Sequence, residues 1–181
     1  MGSYVEQDLA WADRAPIVVE ATGTVAGTAQ EVWDAIVDYP RWAAWFPQIA
    51  GCHATSEPST GLGSTRDVRL KGGGGTIGER FIAWDEPRVW AFTATSGPPV
   101  FTSIVERVTI ERAGDDRASV TYRMALAAAG AAPGAPAGEG PPRAGARHRA
   151  GQPRRRGRPP PGGLTPRSIA LRGVIDRPVG A

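Results

Sequence analysis

Three polar side chains fall where a strand pattern points them inward: Arg66 in T-R-D-V-R-L, Glu106 in F-T-S-I-V-E-R-V-T-I and Tyr122 in A-S-V-T-Y-R-M-A-L. Successive residues of a strand point to opposite faces, which puts Arg66 with Val68 and Leu70, Glu106 with Ile104, Val108 and Ile110, and Tyr122 with Val120 and Met124. In an apolar interior a guanidinium can hold a ligand carboxylate or phenolate. A neighbouring carboxyl group can then be its counter-ion or a base of raised pKa. Glu106 and Tyr122 are therefore the candidates for proton transfer, and Arg66 is the candidate anchor. The competing reading of the same three residues is a structural ion pair in the core.

Other chemistry finds little support. Cys52 and His53 are neighbours in a strand, so their side chains diverge and form no thiolate–imidazole pair. The second histidine, His148, is far away in sequence, which leaves too few ligands for a histidine zinc site; no metal and no cofactor are expected. Gly72 to Gly75 follow Lys71 rather than precede a G-K-[S/T], so they read as a hairpin connection and not as a phosphate loop. Asp115 and Asp116 read as a solvated turn.

The elements that must position these groups are legible from caps, breakers and alternation. Thr28 and Glu31 have capping-box spacing, and Val32, Ala35, Ile36 and Tyr39 follow at helical intervals. Pro40 ends that helix and suits the first turn of another, so R-W-A-A-W-F is predicted as a second short helix carrying Trp42, Trp45 and Phe46 over an apolar cavity. Pro16 to Val25 reads as a first strand. Six more are predicted at about 49–57, 63–71, 76–85, 88–96, 101–112 and 118–126, separated by G-L-G, K-G-G-G-G, D-E-P, G-P-P and G-D-D. Short turns between consecutive strands make an antiparallel meander, so the class is α+β with a strongly bent sheet. Alternation also groups Ile82 with Trp84 and Trp90 with Phe92 as inward residues.

Composition divides the 181-residue chain. All six Trp, three Tyr and four Phe lie at or before Tyr122. Residues 1–126 carry 11 basic and 16 acidic residues, net −5, whereas 127–181 carry ten Arg against Glu139 and Asp176, net +8. The basic pI thus belongs to the C-terminal part, and it argues against a specific nucleic-acid-binding fold. A single Cys fits a reducing compartment, no apolar run approaches the ~20 residues of a membrane span, and the acidic start lacks a secretory layout, so a cytoplasmic location is expected. Residues 1–15 read as a polar lead-in, 16–126 as the domain and 127–181 as an Ala/Gly/Pro/Arg-rich tail.

The segments E-V-W-D-A-I-V-D-Y-P-R-W-A-A-W-F-P, G-L-G-S-T-R, G-E-R-F-I-A-W-D-E-P and G-D-D-R-A-S-V-T-Y, in this order and spacing, resemble the START/Bet v 1-like superfamily, in particular its polyketide cyclase/dehydrase and lipid-transport branch. The resemblance covers about Ile17 to Leu126. It implies a helix-grip fold, in which a curved antiparallel sheet wraps a long C-terminal helix around a cavity for a hydrophobic ligand. It also implies that cyclases place a tyrosine after the second helix and a serine and an arginine in the strand after the glycine hairpin. Those positions here are Ile49, Ile82 and Trp84, so no cyclase mechanism carries over.

The long C-terminal helix is missing from the pattern, because Pro or Gly recurs every few residues after Leu126. A disordered basic tail and a reading-frame shift in a GC-rich gene both account for that composition. Without the helix the concave face stays open, which makes a second copy of the chain a further partner and makes low stability an expectation. The expected function is binding of a lipid, polyketide or aromatic metabolite by Trp42, Trp45, Phe46, Arg66, Ile82, Trp84, Trp90, Phe92 and Tyr122. The alternatives are a cyclase/dehydrase-type enzyme working through Glu106 or Tyr122, and an interaction protein acting through its basic tail.

Overall fold

A computed structural model describes residues 1–130 of the chain. The missing C-terminal helix and the basic tail of the sequence reading lie outside these residues. Strand β1 (Gly2–Ser3) and a 3-10 turn (Leu9–Asp13) precede the long strand β2 (Ile17–Ala26). Helix α1 (Ala29–Val37), a 3-10 turn (Tyr39–Arg41) and the one-turn helix α2 (Trp42–Trp45) follow. Strands β3 (Ile49–Ala54), β4 (Thr65–Leu70), β5 (Thr76–Asp85), β6 (Val89–Gly97), β7 (Phe101–Gly114) and β8 (Arg117–Ala128) complete the meander.

The capping box forms as its spacing requires: Glu31 N–H donates to the Thr28 hydroxyl at 3.3 Å, and Thr28 N–H donates to the Glu31 carboxylate at 2.7 Å. The Thr28 N–H and, after it, the Thr28 hydroxyl, which also donates to this carboxylate, hold the Glu31 carboxyl below its usual range. At the other end Pro40 lies within the 3-10 turn, so the predicted second helix is a reoriented turn followed by a single α-turn. The Trp42 indole N–H donates to the Ile36 carbonyl at 2.8 Å. That bond satisfies a carbonyl which the end of α1 leaves free and fixes α2 against α1.

The strand order is β2-β8-β7-β6-β5-β4-β3, antiparallel throughout, with β1 added to β6. Irregular register in β3–β4, β5–β6 and β7–β8 introduces bends, and the sheet curls so that α1 and α2 sit in its concave face. Trp33 of α1 and Phe81, Trp90 and Phe92 of the sheet are each 2% exposed or less and form the centre of the core. The expected α+β helix-grip architecture, with a curved antiparallel sheet and two short helices after the first long strand, is present.

Residues 1–15, the polar lead-in of the sequence reading, pack on the sheet. Ala12 is fully buried with Val105 and Ala125 on the convex face, and Trp11, Ala15 and Ile82 close around them. Asp13 accepts from Arg107 at 2.9 and 3.2 Å and pairs with Arg123, which also holds Glu20 at 2.7 Å. Arg107 is the main reason that the Asp13 carboxyl titrates below its ordinary range. Tyr4 lies across Gly97, where a Cβ would meet the phenol oxygen at 2.6 Å, and its hydroxyl donates to the Pro98 carbonyl. One Trp among polar residues carries no periodicity, so the sequence pattern did not place this contact.

Removing residues 1–14 uncovers Val105 and Ala125 and strips Arg107 and Arg123 of Asp13. The melting temperature is expected to fall and binding of a hydrophobic dye to rise; an unchanged melting temperature would show that the segment contributes no packing.

Candidate functional site

The concave face carries a polar stripe that crosses five strands. Arg66 on β4 stands directly opposite Glu79 on β5, Glu79 opposite Ala94 on β6, Phe92 opposite Glu106 on β7, and Val108 opposite Tyr122 on β8. Strands β4, β5, β7 and β8 each contribute one polar residue among apolar ones and β6 contributes Ala94 and Phe92, so the stripe is embedded in a hydrophobic wall. Arg66, Glu106 and Tyr122 all face the interior, as the alternation of β4, β7 and β8 predicts.

Arg66 is 0% exposed and does not reach the cavity. Its Nε donates to the Glu79 carboxylate at 2.5 Å. Its guanidinium carbon lies 4.2–5.1 Å from the ring centres of Tyr39, Trp42, Phe81, Trp90 and Phe92, while Nη1 and Nη2 find no hydrogen-bond partner among the described residues. The charge is thus held by one carboxylate and by ring faces, a setting suited to guanidinium because it is planar and weakly hydrated. The counter-ion is Glu79 and not Glu106. Sequence reasoning missed Glu79, yet a signal for it exists: residues 66 and 79 are equidistant from the Gly72–Gly73 turn and must face one another across that hairpin.

A cavity of about 80 Å³ opens beside this pair. Trp42, Trp45 and Phe46 of the α2 region close one end, Trp90 and Phe92 form part of the wall, and Glu79, Glu106 and Tyr122 are its ionisable groups. Its volume is below the roughly 300 Å³ at which ordinary ligand pockets begin, so it accepts a small ring as it stands and a larger ligand only if the rings move. Ile82 and Trp84 do not line it. The extra residue in β5 between Phe81 and Ala83 turns Ile82 to the convex face, where it packs with Trp11, Ala12 and Val105. Trp84 stays on the concave side but packs edge-on against Trp33 and Phe81, 5.3 and 5.0 Å between centres, away from the cavity.

Burial sets the protonation states. The Glu106 carboxyl is pushed up to about 8, first by desolvation and then by the nearby Glu79 charge, with the Tyr122 hydrogen bond and Arg66 opposing. Glu79 is also raised by burial, against the pull of Arg66. Tyr122 is driven well above its ordinary value by burial and by Glu106, and the Tyr39 hydroxyl and Cys52 thiol are each pushed up to about 12 by burial. Cys52 is buried while His53 is exposed, so the two diverge as expected and the thiol is inert. Among the described residues no group of three or more His, Cys, Asp or Glu is placed to hold a metal ion.

Arg66→Met leaves Glu79 buried without its partner and is expected to cost about 3–5 kcal/mol in denaturant unfolding, whereas Arg66→Met combined with Glu79→Met recovers most of that loss. Equal losses in the single and double variants would refute the pairing. Glu106 yields a pH dependence. Its folded-state pKa is raised, so its stabilising contribution is complete below the unfolded value of about 4.3 and is lost as pH climbs to about 8, beyond which it is constant. The stability difference between the natural protein and Glu106→Gln should therefore shift against the natural protein between these limits; a pH-independent difference would contradict the raised pKa.

Comparison with known proteins agrees with this architecture. A START superfamily protein from Mycobacterium smegmatis superposes with a TM-score of 0.55 at 21% identity, over 65% of this chain and 81% of that one. The Zhui aromatase/cyclase of a Streptomyces species gives 0.55 at 21% identity, over 64% of this chain and 70% of that one. At these identities the likeness is one of fold. An uncharacterized protein of Mycobacterium tuberculosis is 31% identical over 78 residues, 42% of this chain, and the match spans about half of the relative's length, 46%. The family described as polyketide cyclase / dehydrase and lipid transport matches residues 16–152, and the chain belongs to it.

Proposed function

We propose that the protein binds a small hydrophobic molecule, a lipid, polyketide or aromatic metabolite, in the cavity between the curved sheet and α2. The observation that carries this reading is an aromatic-walled cavity whose polar lining includes Glu79, already engaged by Arg66, and the adjacent Glu106 and Tyr122. Such a site rewards burial of apolar surface and offers few polar groups to orient it. The description of the family supports the same class of ligand.

A second reading, a cyclase/dehydrase-type enzyme, is favoured by one specific observation. Glu79 beside its cation and Glu106 with a pKa of about 8 place a base and an acid on the same wall. Proton removal from a carbon next to a carbonyl, with proton return to the leaving oxygen, needs that combination.

Trp42, Trp45 and Trp90 line the cavity, so an apolar aromatic ligand should change the tryptophan emission in a saturable way. Val120→Phe fills part of the space and is expected to weaken binding at least about tenfold while melting stays cooperative; unchanged affinity would place the ligand elsewhere. With a polyketide-type substrate, product formation that disappears in Glu106→Gln while binding persists selects the enzyme. Saturable binding without product selects the carrier.

A further inference from the structure

We propose that the Glu106 carboxyl group, held by Tyr122, donates a hydrogen bond to the oxygen of an uncharged carbonyl ligand and so selects that class for the cavity. This inference rests on the cavity-binding reading and names the ligand chemistry for it.

Charge counting within the cavity carries the argument. Two carboxyl groups, Glu79 and Glu106, line one small chamber, and among the described residues the cation facing them is Arg66. Arg66 Nε is spent on Glu79, its direct register partner, and the rest of the guanidinium lies against aromatic rings. Glu106, half-buried on the cavity wall, has no counter-charge of its own among the described residues, so it keeps its proton. The groups around it agree: Glu79 from β5 repels a charge at Glu106, Arg66 from β4 is engaged elsewhere, and Tyr122 from β8 is a neutral phenol. Cys52 and Tyr39, both neutral, flank Arg66. Helix α1 adds only apolar Ile36 to this lining, and Gln48 adds an uncharged amide.

Glu106 and Tyr122 both line the cavity, and the Tyr122 hydroxyl favours the charged form of Glu106 as a donor does. With the phenol as donor to one carboxyl oxygen, the O–H of the neutral acid points its proton toward the cavity. A carbonyl oxygen can accept it, whereas a hydrocarbon leaves the acid unsatisfied and an anionic ligand adds a charge without a partner. Deprotonation converts Glu106 to an acceptor-only carboxylate that retains Tyr122 and repels the ligand oxygen. Selectivity for carbonyl compounds is therefore lost as pH passes about 8.

Isopropylbenzene and acetophenone have the same outline and differ in whether a carbonyl is present. Their dissociation constants are measured by calorimetry with the full chain at about pH 6.5 and about pH 9.5, with cooperative melting of each variant as the folding control. Acetophenone is expected to bind about tenfold tighter than isopropylbenzene at the lower pH and no tighter at the higher. Glu106→Gln, whose amide donates at every pH, should keep the preference at both. Glu106→Leu should abolish it at both while isopropylbenzene still binds. Equal affinities at the lower pH, a preference that ignores pH, or one that survives Glu106→Leu would overturn the assignment and leave the cavity reading intact. If neither compound binds, the cavity reading fails and this inference fails with it.

Discussion

A single buried guanidinium organises the concave face. Arg66 cannot lose its proton at any pH the protein meets, so its surroundings must accommodate a charge. Tyr39 and Trp42 come from the connection after α1, Phe81 from β5, and Trp90 and Phe92 from β6. These rings need to be close to Arg66, and closeness to one point from three separate segments dictates where α2 settles on the sheet. The Trp42–Ile36 hydrogen bond secures the same arrangement from the helical side. A hydrophobic residue at position 66 would fill the volume but would impose no such convergence.

The ion pair also determines what the cavity can be. Because Glu79 consumes the cation, an additional acid on the same wall must be carried in neutral form, and Glu106 is that acid. The protein thus holds, within one apolar chamber, a carboxylate paired with a cation and a carboxylic acid beside a phenol. This division follows from one positive charge shared unequally between two strands, and it needs no metal-like centre or reactive thiol. Cys52, buried on the same face, stays a thiol.

Much of this was legible in the sequence, and the rest was hidden for identifiable reasons. The Thr28–Glu31 spacing marked the start of α1, and glycine and proline punctuation separated the strands to within a few residues, because both signals are local. Alternation placed Arg66, Glu106 and Tyr122 correctly since β4, β7 and β8 keep their pleat across those positions. It failed for Ile82, where a bulge inside an uninterrupted apolar run reverses the pleat without a glycine or proline to announce it. The partner of Arg66 required a register, not a pattern, and the cover provided by Trp11 and Ala12 required knowing which face of the sheet was empty. Site chemistry therefore emerged from the sequence as a list of groups, and its pairing emerged from the hairpin geometry.

The order of the strands has a consequence for how the chain comes together. Among the described residues strand β2 bonds to β8 alone, and the Thr22 and Thr121 hydroxyls that meet across that pair are 99 residues apart in sequence. The first long strand to leave a ribosome is thus the last to gain a neighbour, and the Trp11 and Asp13 contacts wait for β7 and β8 as well. Contacts of such long range make folding slow relative to local helical assembly. Until β8 is made, a ten-residue β-branched strand has both edges unpaired, so the early chain is most exposed to wrong pairing during synthesis itself.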